Sequence, residues 1–83
     1  MTLCELADKI NKNIIITYYP NQGKRFSAHL ENCEIKHGWI LEGAYGNGKS
    51  PEEAINNYTN KIAGQVLVFD AMDKQNRREI FIN

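Results

Sequence analysis

The sequence predicts a single α+β domain spanning residues 1–83: two helices and a mainly antiparallel sheet of three or four strands, in the order α-β-β-β-α-β. Three observations carry this. The chain has 83 residues, enough for one core and no more. Two segments open with helix-capping patterns and continue at helical spacing. Between and after them lie short runs rich in β-branched and aromatic residues, punctuated by turn chemistry.

Thr2-Leu3-Cys4-Glu5 has the form of a capping box, a hydroxyl cap with Glu three residues on. Leu3, Leu6, Ala7 and Ile10 then recur on one helical face, and Asn11 or Asn13 ends the helix. Asn13 to Tyr19 reads as a strand. Pro20-Asn21-Gln22-Gly23 is a turn, and Arg25 to Leu30 alternates as the returning strand of a hairpin. Cys33 and Ile35 continue that strand after a bulge or bend near Glu31-Asn32. His37-Gly38 turns again, and Trp39 to Tyr45 is a third strand, with Trp39, Leu41 and Tyr45 on one face.

Ser50-Pro51-Glu52-Glu53 is the strongest local signal: a hydroxyl cap, proline at the first helical position and an acidic first turn. Ala54, Ile55, Tyr58 and Ile62 form the buried face, and Gly64 stops the helix. Val66-Leu67-Val68-Phe69 is apolar on both faces, as a central or near-central strand would be. Asp70 to Asn76 is a polar loop. Arg78 to Ile82 alternates weakly and reads as an optional last strand at a sheet edge.

Ten basic and ten acidic residues cancel, which argues against a protein whose affinity comes from phosphate contacts. No apolar run reaches the ~18 residues of a membrane span. The N-terminal residues lack a basic head followed by an apolar stretch, so a cytoplasmic chain is expected, with Cys4 and Cys33 as free thiols.

Gly43-Ala44-Tyr45-Gly46-Asn47-Gly48-Lys49-Ser50 matches the phosphate-loop pattern G-x-x-x-x-G-K-[ST]. That chemistry needs free amides at a helix N-terminus. Here Pro51 removes one amide, and Glu52 and Glu53 place negative charge where a phosphate would sit. The glycines are therefore expected to let the chain turn from strand to helix, and no enzyme or cofactor is expected. His29, Cys33 and His37 are four apart and, with Cys4, give the residue count of a zinc site. No C-x-x-C pair is present and a bend near Asn32 would separate them, so Cys33 is assigned to the core and no metal is expected.

Tyr18, Tyr19, Trp39 and Tyr45 could make a stacking surface for single-stranded nucleic acid, beside small basic patches at Lys24-Arg25 and Arg77-Arg78. They are also what a core and cross-strand pairs require. Two short helices cover one sheet face. The other, bearing part of Ile14–Tyr19, Trp39 and Tyr45, calls for a partner, and Ile80-Phe81-Ile82 could pair at an edge. The expected interaction residues are Tyr18, Trp39, Tyr45, Ile80, Phe81 and Ile82.

Gly48-Lys49-Ser50-Pro51-Glu52-Glu53-Ala54-Ile55 resembles the G-x-[ST]-x-E-E-A-[IL] helix start of HicB-type antitoxins. Phe26 to Cys33 is loosely similar to the strand that precedes that family's Pro-Gly-Cys turn. The resemblance covers residues 14–69 and lacks the Pro-Gly pair before Cys33. It implies a β-β-β-α-β unit that binds a small protein, usually as an oligomer. The abundance of Asn, Lys and Ile is similar to that of small phage and prophage proteins, which often block a host protein. The helix–strand order also resembles a double-stranded RNA-binding domain, but Pro51-Glu52-Glu53 stands where that family carries lysines. The expected function is thus a non-enzymatic, antitoxin- or inhibitor-like protein-binding module with a protein partner or a second copy, a homodimer. The alternative is a nucleic-acid-binding domain.

Overall fold

A computed structural model describes residues 2–83. Helix α1 (Leu3–Ile10) begins with the capping box: the Thr2 hydroxyl accepts from the Glu5 amide, and the Glu5 carboxylate accepts from the Thr2 amide. Asn11 ends it in the left-handed region at φ 55°. Five strands follow: β1 (Ile14–Tyr19), β2 (Arg25–Leu30), β3 (Cys33–His37), β4 (Ile40–Gly43) and β5 (Gly46–Gly48). Helix α2 (Pro51–Ile62) is capped by Ser50, whose hydroxyl accepts from the Glu53 amide at 3.1 Å. Gly64, at φ 74°, turns the chain after it. Strands β6 (Val66–Phe69) and β7 (Arg78–Phe81) complete the fold.

The α+β class with two helices and antiparallel pairing is as the sequence predicts, but the strands divide between two sheets, β1-β2-β5 and β4-β3-β6-β7. Two short crossings cause the division. At Glu31-Asn32 the chain leaves the first sheet. Asn32 takes φ 54°, and its carbonyl accepts from the Asp70 amide. Cys33 and Ile35 therefore begin a new strand instead of extending β2. At Ala44-Tyr45 the chain returns, so the single run expected from Trp39 to Tyr45 is split into β4 and β5. Lys61 of α2 donates to the Tyr45 carbonyl at 2.6 Å and fixes that crossing.

The core gathers Leu3, Leu6 and Ala7 of α1, Tyr58 and Ile62 of α2, Leu30 of β2, Cys33 and Ile35 of β3, Leu67 of β6, and Ile82. Strand β6 lies between β3 and β7 and is buried on both sides, as its two-sided apolar run predicts. Leu67 faces the helices. Val68 faces away, between Glu34 and Glu79 in register. On that outer side Lys36 of β3 bridges to Glu79 of β7 across β6 at 3.2 Å. Lys12, after α1, pairs with Asp70 at the end of β6 and ties the helix to the second sheet.

Candidate interaction site at the first sheet

The glycines of the phosphate-loop pattern do a different job from the one the pattern suggests. Gly46 and Gly48 lie in β5, opposite Ala28 and Phe26 of β2. Neither has the left-handed φ found at Gly23, Gly38 and Gly64. What they lack is room: a Cβ on Gly46 would overlap the Ala54 carbonyl and the Tyr58 amide, and one on Gly48 would lie 2.7 Å from Cβ of Glu53. Their role is close approach of a helix to a strand, which corrects the expectation that they serve as a turn. The groups a phosphate would need are committed elsewhere. Lys49 donates to the Gly23 carbonyl at 3.0 Å, Asn57 to the Asn47 carbonyl at 2.5 Å, and the Glu53 amide to Ser50.

This close approach decides which surface is left open. Helix α2 is drawn over β5 and β2 and does not extend across β1. The helix side of β1 carries Ile14, Ile16 and Tyr18, which stand opposite Leu30, Ala28 and Phe26. Ala28 and Leu30 are fully buried, while Ile16 is 39% and Tyr18 49% exposed. Tyr18 stacks on Phe26 with ring centroids 4.7 Å apart. An apolar strip of Ile16, Tyr18 and Phe26 therefore flanks the helix.

Strand β1 is also an edge, paired only with β2. The Glu31 amide donates to the Asn13 carbonyl directly opposite it, which sets the phase of the ladder. Along an antiparallel pair, alternate residues turn both main-chain groups toward the neighbour. Ile15, Thr17 and Tyr19 share Asn13's phase and bond to β2. Ile14, Ile16 and Tyr18 thus turn their amides and carbonyls outward. The strand's six residues (Ile-Ile-Ile-Thr-Tyr-Tyr) contain no charge, proline or glycine, the devices that usually blunt an edge. The other outer strands are blunted: β5 has three residues, two of them glycine, β4 carries Glu42 and Gly43, and β7 carries Arg78 and Glu79.

The opposite face of the first sheet is uncovered and mixed in character. Arg25 stacks on Tyr19 at 4.4 Å and donates to Asn47 and Gln22. His29 meets Tyr45 edge-on at 4.9 Å. Burial holds His29 below the ordinary imidazole range, so it is neutral at pH 7.

The six expected interaction residues do not come together. Tyr18 lies on the helix side of β1, and Tyr45 on the opposite face of the same sheet, beside His29. Trp39 sits at the β3–β4 turn, 102% exposed, with Ile40 beside it. On β7, Ile80 packs toward the core and Phe81 points outward. Ile82 is 8% exposed and exchanges main-chain bonds with Gly64 and Gln65. It is a core residue and is withdrawn from the interaction set. Sequence reading missed Ile16 and Phe26, because only the displacement of α2 toward β5 leaves them uncovered. The signal available was the uncharged run itself.

His29 is in the first sheet, whereas Cys33 and His37 are in the second. Among the described residues no three His, Cys, Asp or Glu side chains gather as metal ligands. No helix among them is long and apolar enough to cross a membrane. No family model, curated protein or solved structure matches the chain.

Proposed function

We propose that this chain is a non-enzymatic protein-binding module that accepts an extended strand along the outer edge of β1. The observation that carries the reading is the edge itself: outward main-chain groups at Ile14, Ile16 and Tyr18 on a strand with no charge. Strand addition draws affinity from such groups and selectivity from alternate side chains. Here the side chains would be Ile14, Ile16 and Tyr18 beside Phe26. The partner is a protein, or another copy of the chain, in a cytoplasmic, antitoxin- or inhibitor-like role. Trp39 and Phe81 are secondary contacts, since large exposed aromatics often anchor protein interfaces. The test is titration of the isotope-labelled protein with a lysine-capped peptide of alternating valine and threonine. Amide shifts confined to β1 and its flanking turns support the reading. Shifts elsewhere, or none at millimolar peptide in protein dilute enough to be monomeric, refute it.

A second reading has one observation in its favour: Tyr19, His29 and Tyr45 share the open face with Arg25, a layout on which bases could stack. It is the weaker of the two. Arg25 is already engaged with Tyr19, Asn47 and Gln22, His29 is neutral, and the chain carries no net charge. Fluorescence anisotropy with single-stranded oligonucleotides tests it. Salt-sensitive binding that is lost in Tyr45→Ala would favour it.

A further inference from the structure

We infer that the strand accepted by β1 is β1 of a second copy, paired antiparallel about a two-fold axis at Ile16. The inference rests on the strand-accepting reading and adds the partner and the register. A two-fold axis perpendicular to the sheet keeps each face on its own side, so residues of like parity must pair. Two registers satisfy this near the middle of the strand. One centres on Ile16, so that Ile14 meets Tyr18 of the second copy. The other centres on Thr17, so that Ile16 meets Tyr18.

Hydrogen bonding decides between them. The outward groups belong to Ile14, Ile16 and Tyr18. Centring on Ile16 engages all of them: Ile16 with its own copy, and Ile14 with Tyr18 on either side, for about six main-chain bonds. Centring on Thr17 places Ile14 opposite Pro20, which has no amide to donate. The side chains agree. In the first register Ile16 packs on its copy, and each Tyr18 ring meets the β-branched Ile14, a favourable cross-strand pair.

Charge and geometry are also compatible with self-pairing. The strand carries no charge, so its own copy brings no like charge against it. The first sheet would become a continuous six-stranded sheet in the order β5-β2-β1-β1-β2-β5, with the seam about 20 Å long. On the helix side, Ile16, Tyr18 and Phe26 of both copies would form one apolar strip between the two α2 helices. These are the residues that the displaced helix leaves open. The other exposed large apolar residues, Trp39, Ile40, Tyr45, Met72 and Phe81, fall outside that strip.

Sedimentation velocity over a dilution series and cysteine crosslinking together test the inference, in a Cys4→Ser background because Cys4 is exposed. Residues opposed at a hydrogen-bonded position lie within disulfide reach. The expected result is a dimer that dissociates on dilution, with rapid self-crosslinking of Ile16→Cys and none of Thr17→Cys. Ile16→Lys should keep its circular dichroism spectrum while weakening the dimer at least tenfold. Preferential crosslinking of Thr17→Cys would overturn the register. A monomer at millimolar concentration whose β1 amides still respond to the valine–threonine peptide would overturn self-pairing and leave the strand-accepting reading intact. A monomer with no peptide response would overturn both.

Discussion

The α-carbon of Gly46 lies so close to the Ala54 carbonyl that no side chain fits between them. This contact places α2 over β5 and β2 and leaves β1 bare. Gly46→Ala would force strand and helix apart, with main-chain atoms on the other side unable to move aside. It should cost about 3 kcal/mol or more. Gly48→Ala should cost less, because part of what its methyl meets is the Glu53 side chain. Urea unfolding followed by circular dichroism would measure both.

Ser50 and Glu53 reproduce a helix start that the sequence shows plainly. Ser50→Ala removes the acceptor for the Glu53 amide and should destabilise the protein by about 1 kcal/mol, whereas Ser50→Asp, which can still accept from that amide, should keep most of the stability. The same cap bears on the phosphate-loop pattern. Magnesium with ATP or GTP at millimolar concentration should leave the melting temperature unchanged, because Lys49, Ser50 and the local carbonyls are already paired within the fold. A melting temperature that rises with nucleotide would contradict this account of the loop.

Burial raises the Cys33 thiol from an ordinary 9.0 to about 12, and the Tyr58 phenol from 10.0 to about 12. Both groups are neutral acids held neutral by the core. The stability this reflects is therefore complete below pH 9 and is lost as pH rises toward 12. Unfolding free energy should fall across that window. Replacing Cys33 with Ala should flatten the fall while lowering stability at neutral pH, and replacing Tyr58 with Phe should flatten it without a loss at neutral pH, because the buried Tyr58 hydroxyl has no hydrogen-bond partner among the described residues. Denaturant midpoints at several pH values would show it.

The two thiols should also separate by reactivity. Cys4 is exposed and Cys33 buried, and the thiolate is the reactive form. A thiol reagent at pH 8 should modify one cysteine of the native protein quickly. The second should react only at the rate of unfolding, and peptide mapping should place the fast label on Cys4.

Local signals were legible wherever a residue type has a single structural use. The capping box at Thr2–Glu5, the Ser50-Pro51 helix start and the two-sided apolar run at Val66–Phe69 all took the forms their chemistry dictates. The division into two sheets was not legible. It depends on Asn32 adopting a left-handed conformation and on the crossing at Ala44-Tyr45, and neither leaves a periodicity to read. The glycine-rich segment misled for a related reason. Glycine marks close approach as readily as a turn, and only the packing partner distinguishes the two. Of the candidate site, Tyr18 was visible as an exposed aromatic. Its neighbours Ile16 and Phe26 were not, because their exposure follows from where α2 settles.

Amide hydrogen exchange along β1 tests the central claim most directly. In dilute protein the amides of Ile15, Thr17 and Tyr19, bonded to β2, should exchange slowly, while those of Ile14, Ile16 and Tyr18 exchange fast. At high concentration or with the valine–threonine peptide, the second set should become protected. Even protection along the strand in dilute protein, or no gain in protection under either condition, would contradict the assignment of this edge as the binding site.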